Sequence, residues 1–243
     1  MVKEPIYNEF VRKLVDKTKV FRMGDPENMD MSTGPVITEK QLHYIERKVD
    51  EGIQSDPDTL QILCRGKRCT GFEGEDAHLN EGNWYEPTVV AARLEAPPDE
   101  GSIDRLQSSD VLFQSELFSL VVALVPFHSL TQAVRLANGT LYGLGCSIWT
   151  SDLSRAHRTP DAVHAGIVWI NDHHKNHPSS PWGSLTKASG VRTESMRARS
   201  TPRRRAWCSI LARSRATGFG IWTLNTIISV IDVSFLWTCG CLG

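Results

Sequence analysis

Between Ile167 and Gly190 the chain reads IVWINDHHKNHPSSPWGSLTKASG. Asp172, His173, His174, Asn176 and His177 fall within a few residues of one another, and Pro181-Trp182-Gly183 follows. Imidazoles crowded beside a carboxylate could ligate a metal or line a polar channel. Metal ligation fits poorly, because the histidines lack a settled strand or helix geometry and an acidic partner set. Neutral loop histidines beside a channel fit better. Six cysteines are the second candidate set: Cys64, Cys69, Cys146, Cys208, Cys239 and Cys241. Cys64 and Cys69 bracket a basic loop, RGKR, and no second pair at zinc spacing lies near them. Reduced, inert thiols are the expectation.

The His-rich loop leaves a short apolar run, Ile167 to Ile170, that reads as a strand. Two further strands precede it: VVALVPF (Val121 to Phe127), continuous and apolar as expected of a strand buried on both faces, and Gly145 to Thr150. Helical stretches alternate with them. Ser129 to Asn138 turns Leu130, Val134, Leu136 and Ala137 inward, and a second helix is capped by Ser151 or Asp152 and ended or kinked by Pro160. This alternation predicts right-handed crossovers and an α/β fold, an open parallel sheet with flanking helices. Ligand sites in such sheets form beyond the carboxyl ends of strands, where Asn171 and Asp172 begin.

The first half is read the same way. Glu4 to Arg22 is helical, with Phe10, Val11, Leu14, Val15 and Phe21 near i, i+3, i+4 spacing and Gly24-Asp25-Pro26 as the stop. Thr38 is an N-cap with Gln41 three residues on, a capping box for a helix whose stripe is Leu42, Ile45 and Val49 and which ends at Gly52. Gln61 to Cys64 is a strand and Gly66 to Gly82 a polar loop. Pro87 interrupts WYEPTVV, which suggests an edge strand or the start of one. Ala92 to Asp110 is expected as a surface loop.

At 243 residues with 40% apolar and 23% charged content, the chain has material for a sizeable core. A net charge of −1 points to neither nucleic acid nor membrane. No secretory pattern follows Met1, so a cytoplasmic location is the default.

Taken in order, the segments resemble the aldehyde dehydrogenase superfamily, particularly its betaine-aldehyde-like branch. IYNEFVRKLV, MGDP, GPVITEKQ, GNWYEPTVV, ELFSLVVALVPF, NGTLYGLGCSIWT and WINDHHKNHPSSPWGSLTKASG match family motifs in register over residues 1 to about 190. The resemblance implies oxidation of an aldehyde to a carboxylic acid by a cysteine thiolate, with hydride accepted by NAD or NADP. Glu116 then matches the glutamate that binds the nicotinamide ribose, where a carboxylate suits two vicinal hydroxyls. Phe118 matches the aromatic beside the nicotinamide, and Gln41 a contact on the adenosine side. Asp172, His174, Asn176 and Trp182 fall at the substrate channel and its mouth.

The departures matter as much. The family's nucleophilic cysteine matches a position just before Met1, and its base, oxyanion asparagine and Gly-rich cofactor domain lie earlier still. Residues 1–190 are therefore expected as a partial, incomplete aldehyde dehydrogenase catalytic domain with impaired cofactor binding and no activity alone. Association with a full-length homologue is the alternative role. Ser119-Leu120 replaces the family's Gly-Pro, so the loop presenting Phe118 is expected to take a different shape. From residue 191 to 243 the resemblance fades into an all-arginine basic stretch and then an apolar run from Phe219 to Leu242. We expect this tail to be disordered or aberrant. A membrane anchor is the alternative, disfavoured by Asp232, whose kind costs roughly 2.5–3.5 kcal/mol at the centre of a membrane span.

Overall fold

The structure is a computed structural model that describes residues 1–93, 99, 101–103, 111–140, 142–173, 206–209 and 227–231. These divide into two units, Glu4–Pro126 and Met1–Lys3 with Phe127–Val233.

The first unit is built on helix α1 (Glu4–Lys19), whose buried residues are Tyr7, Val11, Val15 and Thr18. Spacings of four and three residues place them on one face. Phe10 and Leu14 flank that stripe half-buried and do not form its centre. The helix packs on a three-stranded sheet of β2 (Leu60–Cys64), β3 (Thr88–Ala92) and β4 (Val121–Leu124), with β3 in the middle. β2 runs antiparallel to β3 and β4 parallel to it. The Tyr7 hydroxyl faces two backbone acceptors at the carboxyl ends of β3 and β4, Ala92 O at 3.1 Å and Leu124 O at 2.9 Å.

Pro87 precedes β3, the central and wholly buried strand, so the edge reading fails and the strand-start reading holds. A proline there forfeits no ladder hydrogen bond. VVALVPF is not one strand. Val121, Val122 and Ala123 are half-buried in β4, and Pro126–Phe127 (β5) belongs to the other sheet. Pro126 lacks the N–H that a continuous ladder would need.

Cys64 closes β2 and is buried, beside a bulge between Ile62 and Cys64. The next residue, Arg65, has a left-handed φ of 59°, and its Nη2 donates to Lys19 O and Phe21 O, both at 3.2 Å. A cation on Lys19 O, the last carbonyl of α1, satisfies an acceptor that the helix leaves open, and Phe21 O lies just beyond it. Arg68 binds both carboxylate oxygens of Glu46. Two arginines of the basic loop are thus occupied by α1 and by α2 (Glu39–Ser55).

Helix α2 starts as expected, with Thr38 Oγ1 accepting from Gln41 N at 3.2 Å and with Leu42, Ile45 and Val49 buried, but it continues past Gly52 to Ser55. The expected loop after Gly66 contains a 3-10 helix, Gly74–Glu81, on which Trp84 is anchored through its indole N–H to Leu79 O. The expected surface loop before residue 110 buries Ile103 completely, and a short helix α3 (Val111–Gln114) follows it.

In the second unit, β6 (Gly145–Trp149), helix α5 (Leu153–Ala162) and β7 (Ile167–Ile170) form a parallel βαβ unit, with Gly145 opposite Ile167 and Ile148 opposite Ile170. Helix α4 (Leu130–Asn138) is capped by Ser129 and buries Gln132, Ala133, Leu136 and Ala137, while Leu130 and Val134 are half-buried. Asp152, not Ser151, caps α5, and Pro160 lies inside that helix without ending it. The α/β class with parallel strands and helices therefore holds. The sheets are mixed, because β9 (Ile227–Ile231) runs antiparallel to both β6 and β1 (Val2–Lys3). β8 (Ala206–Ser209) is parallel to β7, and the full order is β5-β1-β9-β6-β7-β8. Two segments of the tail are thus strands. IISVI has the β-branched composition that a pleated ladder favours. Among the described residues no helix is long and apolar enough to cross a membrane.

Burial raises the Tyr7 phenol above its ordinary range. A raised folded-state pKa contributes stability that is complete below the unfolded pKa of about 10 and is lost as pH rises beyond it. Tyr7→Phe should cost about 1–2 kcal/mol in urea unfolding at pH 7, since buried carbonyls lose a donor. Between pH 10 and 11 the parent's advantage should shrink. An advantage that persists undiminished there would show that the hydroxyl is not buried against these carbonyls.

Candidate functional site

In the first unit the residues preceding β4 form a short loop. Glu116 is half-buried, Leu117 is buried at 8% exposure, and Phe118 is 58% exposed with a left-handed φ of 46°. A bulky L-residue in that region costs about 1–2 kcal/mol and persists only where its surroundings impose it. With Ser119 and Leu120 following, no glycine takes up the turn. Two hydrogen bonds flank Phe118 and hold it. Gln41 Nε2 donates to Leu117 O at 2.7 Å, and Leu120 O accepts from Thr88 N at 2.8 Å, at the start of the β3–β4 ladder. Of the three predicted cofactor residues, Gln41 and the Glu116–Phe118 loop therefore meet directly. The Gln41 amide is engaged by the backbone of that loop. The capping box is only half formed, since this side chain turns to Leu117 rather than back to Thr38.

In the second unit the carboxyl ends of β6 and β7 are joined by Asn171. Its backbone N donates to Ile148 O at 2.8 Å. Its Oδ1 accepts from Thr150 N at 2.8 Å and its Nδ2 donates to Thr150 O at 2.9 Å. The side-chain amide thus extends the ladder by one step while its own backbone turns away at φ 53°. Asparagine is one of the few residue types that tolerate this conformation, because its short amide can bond locally. His173 is then drawn back onto the sheet. Its Nδ1 lies 3.0 Å from Ser147 Oγ, and its ring meets Trp169 edge-on at 5.7 Å between centroids. Asp172 Oδ1 accepts from His173 N at 2.8 Å. His174, Asn176 and Trp182, predicted at the channel, lie outside the described residues, as does His177.

Sequence reasoning missed the supporting residues. Ser147 is a hydroxyl in an otherwise apolar strand, and a buried hydroxyl demands a partner. Asn171 carried its own signal, an asparagine directly after a buried strand. Nothing local in the sequence pointed from Gln41 to Leu117, which lie 76 positions apart.

Two of the described thiols are poorly placed as nucleophiles. Cys146 is fully buried in β6, and burial pushes its thiol up to about 12. Cys64 is buried and Cys69 half-buried. Nucleophilic cysteines work as thiolates in accessible, electropositive surroundings, the opposite of the buried settings of Cys64 and Cys146. Among the described residues no three His, Cys, Asp or Glu side chains come together to hold a metal.

Comparison with known proteins places this geometry. The sequence profile of the "Aldehyde dehydrogenase family" matches residues 1–201. Betaine aldehyde dehydrogenase of Bacillus subtilis is 29% identical over 194 residues, which is 80% of this chain and 35% of that protein. Phenylacetaldehyde dehydrogenase of Pseudomonas fluorescens is 31% identical, over 79% of this chain and 34% of its own length. Betaine aldehyde dehydrogenase from Staphylococcus aureus, solved in complex with NAD+, superposes with a TM-score of 0.62 at 29% identity, covering 75% of this chain and 32% of that one. The chain spans about a third of the length of the relatives it matches.

Two measurements test the site. Asn171→Ala should lower stability by about 2 kcal/mol, because two backbone groups of Thr150 lose their partners. Asn171→Gly, which suits the left-handed φ but has no amide, should recover only part of that loss in thermal unfolding. In thiol labelling mapped by mass spectrometry, Cys69 should react in the folded chain, and Cys64 and Cys146 only after denaturation. Rapid native labelling of Cys146 would contradict its burial.

Proposed function

The chain belongs to the aldehyde dehydrogenase family, and from that premise we propose that it carries a cofactor-binding loop and a substrate-mouth segment of an NAD(P)-dependent aldehyde oxidation. The single observation carrying this reading is the Glu116–Phe118 loop: a half-buried glutamate two residues before an exposed phenylalanine, in a backbone conformation held from both sides. This pair suits a dinucleotide. A carboxylate can accept a hydrogen bond from each of two adjacent ribose hydroxyls, and charge-assisted bonds of this type are strong. An exposed phenyl face offers a flat apolar surface to a nicotinamide ring. When bound, NAD or NADP would supply the hydride acceptor. Glu116 would hold the ribose and Phe118 would limit the position of the ring.

Substrate contacts are assigned to the segment that starts at Asn171. Asn171 sets where that segment leaves β7, and the His173 ring on Ser147 and Trp169 fixes its first turn. Asp172, His174, Asn176 and Trp182 are the side chains we assign to the mouth. The substrate class is an aldehyde, as the names of the relatives suggest.

Covalent aldehyde oxidation also needs an accessible thiolate. Neither Cys64 nor Cys146 meets that need, and Cys69 lies in the loop after β2, in the segment that bonds to Trp84. On the described thiols we expect cofactor binding without turnover from this chain.

Titration of the 243-residue chain with NAD and with NADP, followed calorimetrically, tests the reading. Saturable binding of either is expected, with Glu116→Gln weakening it by roughly tenfold or more as a charged acceptor is lost. Equal affinity in parent and variant would remove Glu116 from the site. A panel of aldehydes with cofactor should yield no reduced nicotinamide above a blank, and turnover would overturn the inactivity.

A further inference from the structure

The side chain of Gln41 has two possible uses. At the third position of α2 it could fold back on Thr38 and complete the capping box, a local arrangement worth having at a helix start. Thr38 makes its half of that box. The Gln41 amide instead donates at 2.7 Å to Leu117 O, the carbonyl directly before Phe118. The amide therefore leaves its local partner for the backbone of a loop that holds an exposed phenylalanine at φ 46°.

We infer that Gln41 is a positioning residue, a latch that holds the Glu116–Phe118 loop in its binding shape before cofactor arrives. This rests on reading that loop as the cofactor loop. The argument is one of population. A loop with a left-handed phenylalanine has a relaxed alternative, in which Phe118 returns to negative φ and the Leu117 carbonyl rotates away. Thr88 N on Leu120 O holds the far side of Phe118, and only Gln41 holds the near carbonyl among the hydrogen bonds seen. Affinity for a ligand scales with the fraction of protein already in the competent state, so releasing the latch weakens binding without removing any ligand contact. This differs from a direct contact between Gln41 and the nucleotide. It also predicts an effect on the loop when no cofactor is present.

The substitutions separate the latch from the helix. Gln41→Glu keeps side-chain length, favours the positive end of α2 and can close the capping box, yet it cannot donate to Leu117 O. Gln41→Met keeps length with no hydrogen bond. Gln41→Arg retains a long N–H donor. The probe is limited chymotrypsin digestion of the full chain without cofactor, with the cut after Phe118 measured against the cut after Phe21, beyond α1. Cleavage requires local opening, so its rate follows the open fraction. Gln41→Glu and Gln41→Met should raise the Phe118 cut by about fivefold to tenfold, the value of one such hydrogen bond. Gln41→Arg should stay near the parent, and the Phe21 cut should not change. NAD affinity should fall in the first two variants by a similar factor and be retained in the third.

An unchanged Phe118 cut in both Gln41→Glu and Gln41→Met overturns the latch. Weaker NAD binding with no change in that cut also overturns it, because Gln41 would then touch the nucleotide itself. A faster cut in a protein that binds no NAD in any form supports the latch and refutes the cofactor reading of the loop.

Discussion

The first unit depends on how a short edge strand is kept in place. β4 has four residues, most of them half-buried, and one neighbour, β3. Such a strand has little apolar burial with which to hold its register. It is secured at both ends. At its start, Thr88 N reaches Leu120 O, and at its finish the Tyr7 hydroxyl faces Leu124 O and Ala92 O together. Tyr7 matters most, because one buried side chain joins α1 to the carboxyl ends of two parallel strands. The loop carrying Glu116 and Phe118 enters the strand whose far end that hydroxyl holds.

Backbone strain in the chain is distributed by a common rule. Among the described residues, Arg65, Phe118 and Asn171 have left-handed φ without being glycine. Two follow strands and one precedes a strand. Each sits beside side-chain-to-backbone hydrogen bonds that a relaxed conformation would break. Arg65 and Asn171 make those bonds themselves, to α1 and to Thr150. Phe118 makes none of its own and relies on the carbonyls of its neighbours. Phe118 itself is left 58% exposed.

Much of the fold was legible because its signals are local. The helix starting at Glu4, the Thr38 cap, the apolar stripe of α2 and the β6–α5–β7 unit all follow from periodicity and capping chemistry within about a dozen residues. The misreadings share a cause. VVALVPF looks like one buried strand until sheet pairing divides it at Pro126. Ile103 sits in a polar, proline-containing stretch and is buried all the same. Periodicity reports which face of an element is apolar. It does not report which element will cover that face, nor to which sheet a strand will belong.

By itself the sequence determined the family. Motifs in register named it, and it was that resemblance that nominated Glu116 and Phe118. It also determined the polar segment at the end of β7, since a buried apolar run ending in Asn-Asp has to turn there. Tertiary structure alone decided how those groups are held. Gln41 meets Leu117 across 76 positions, and Asn171 meets Thr150 across 21. A side-chain amide can bond any carbonyl or N–H within reach. Its partner is therefore chosen by which backbone groups the packed chain leaves open beside it, and no local pattern encodes that.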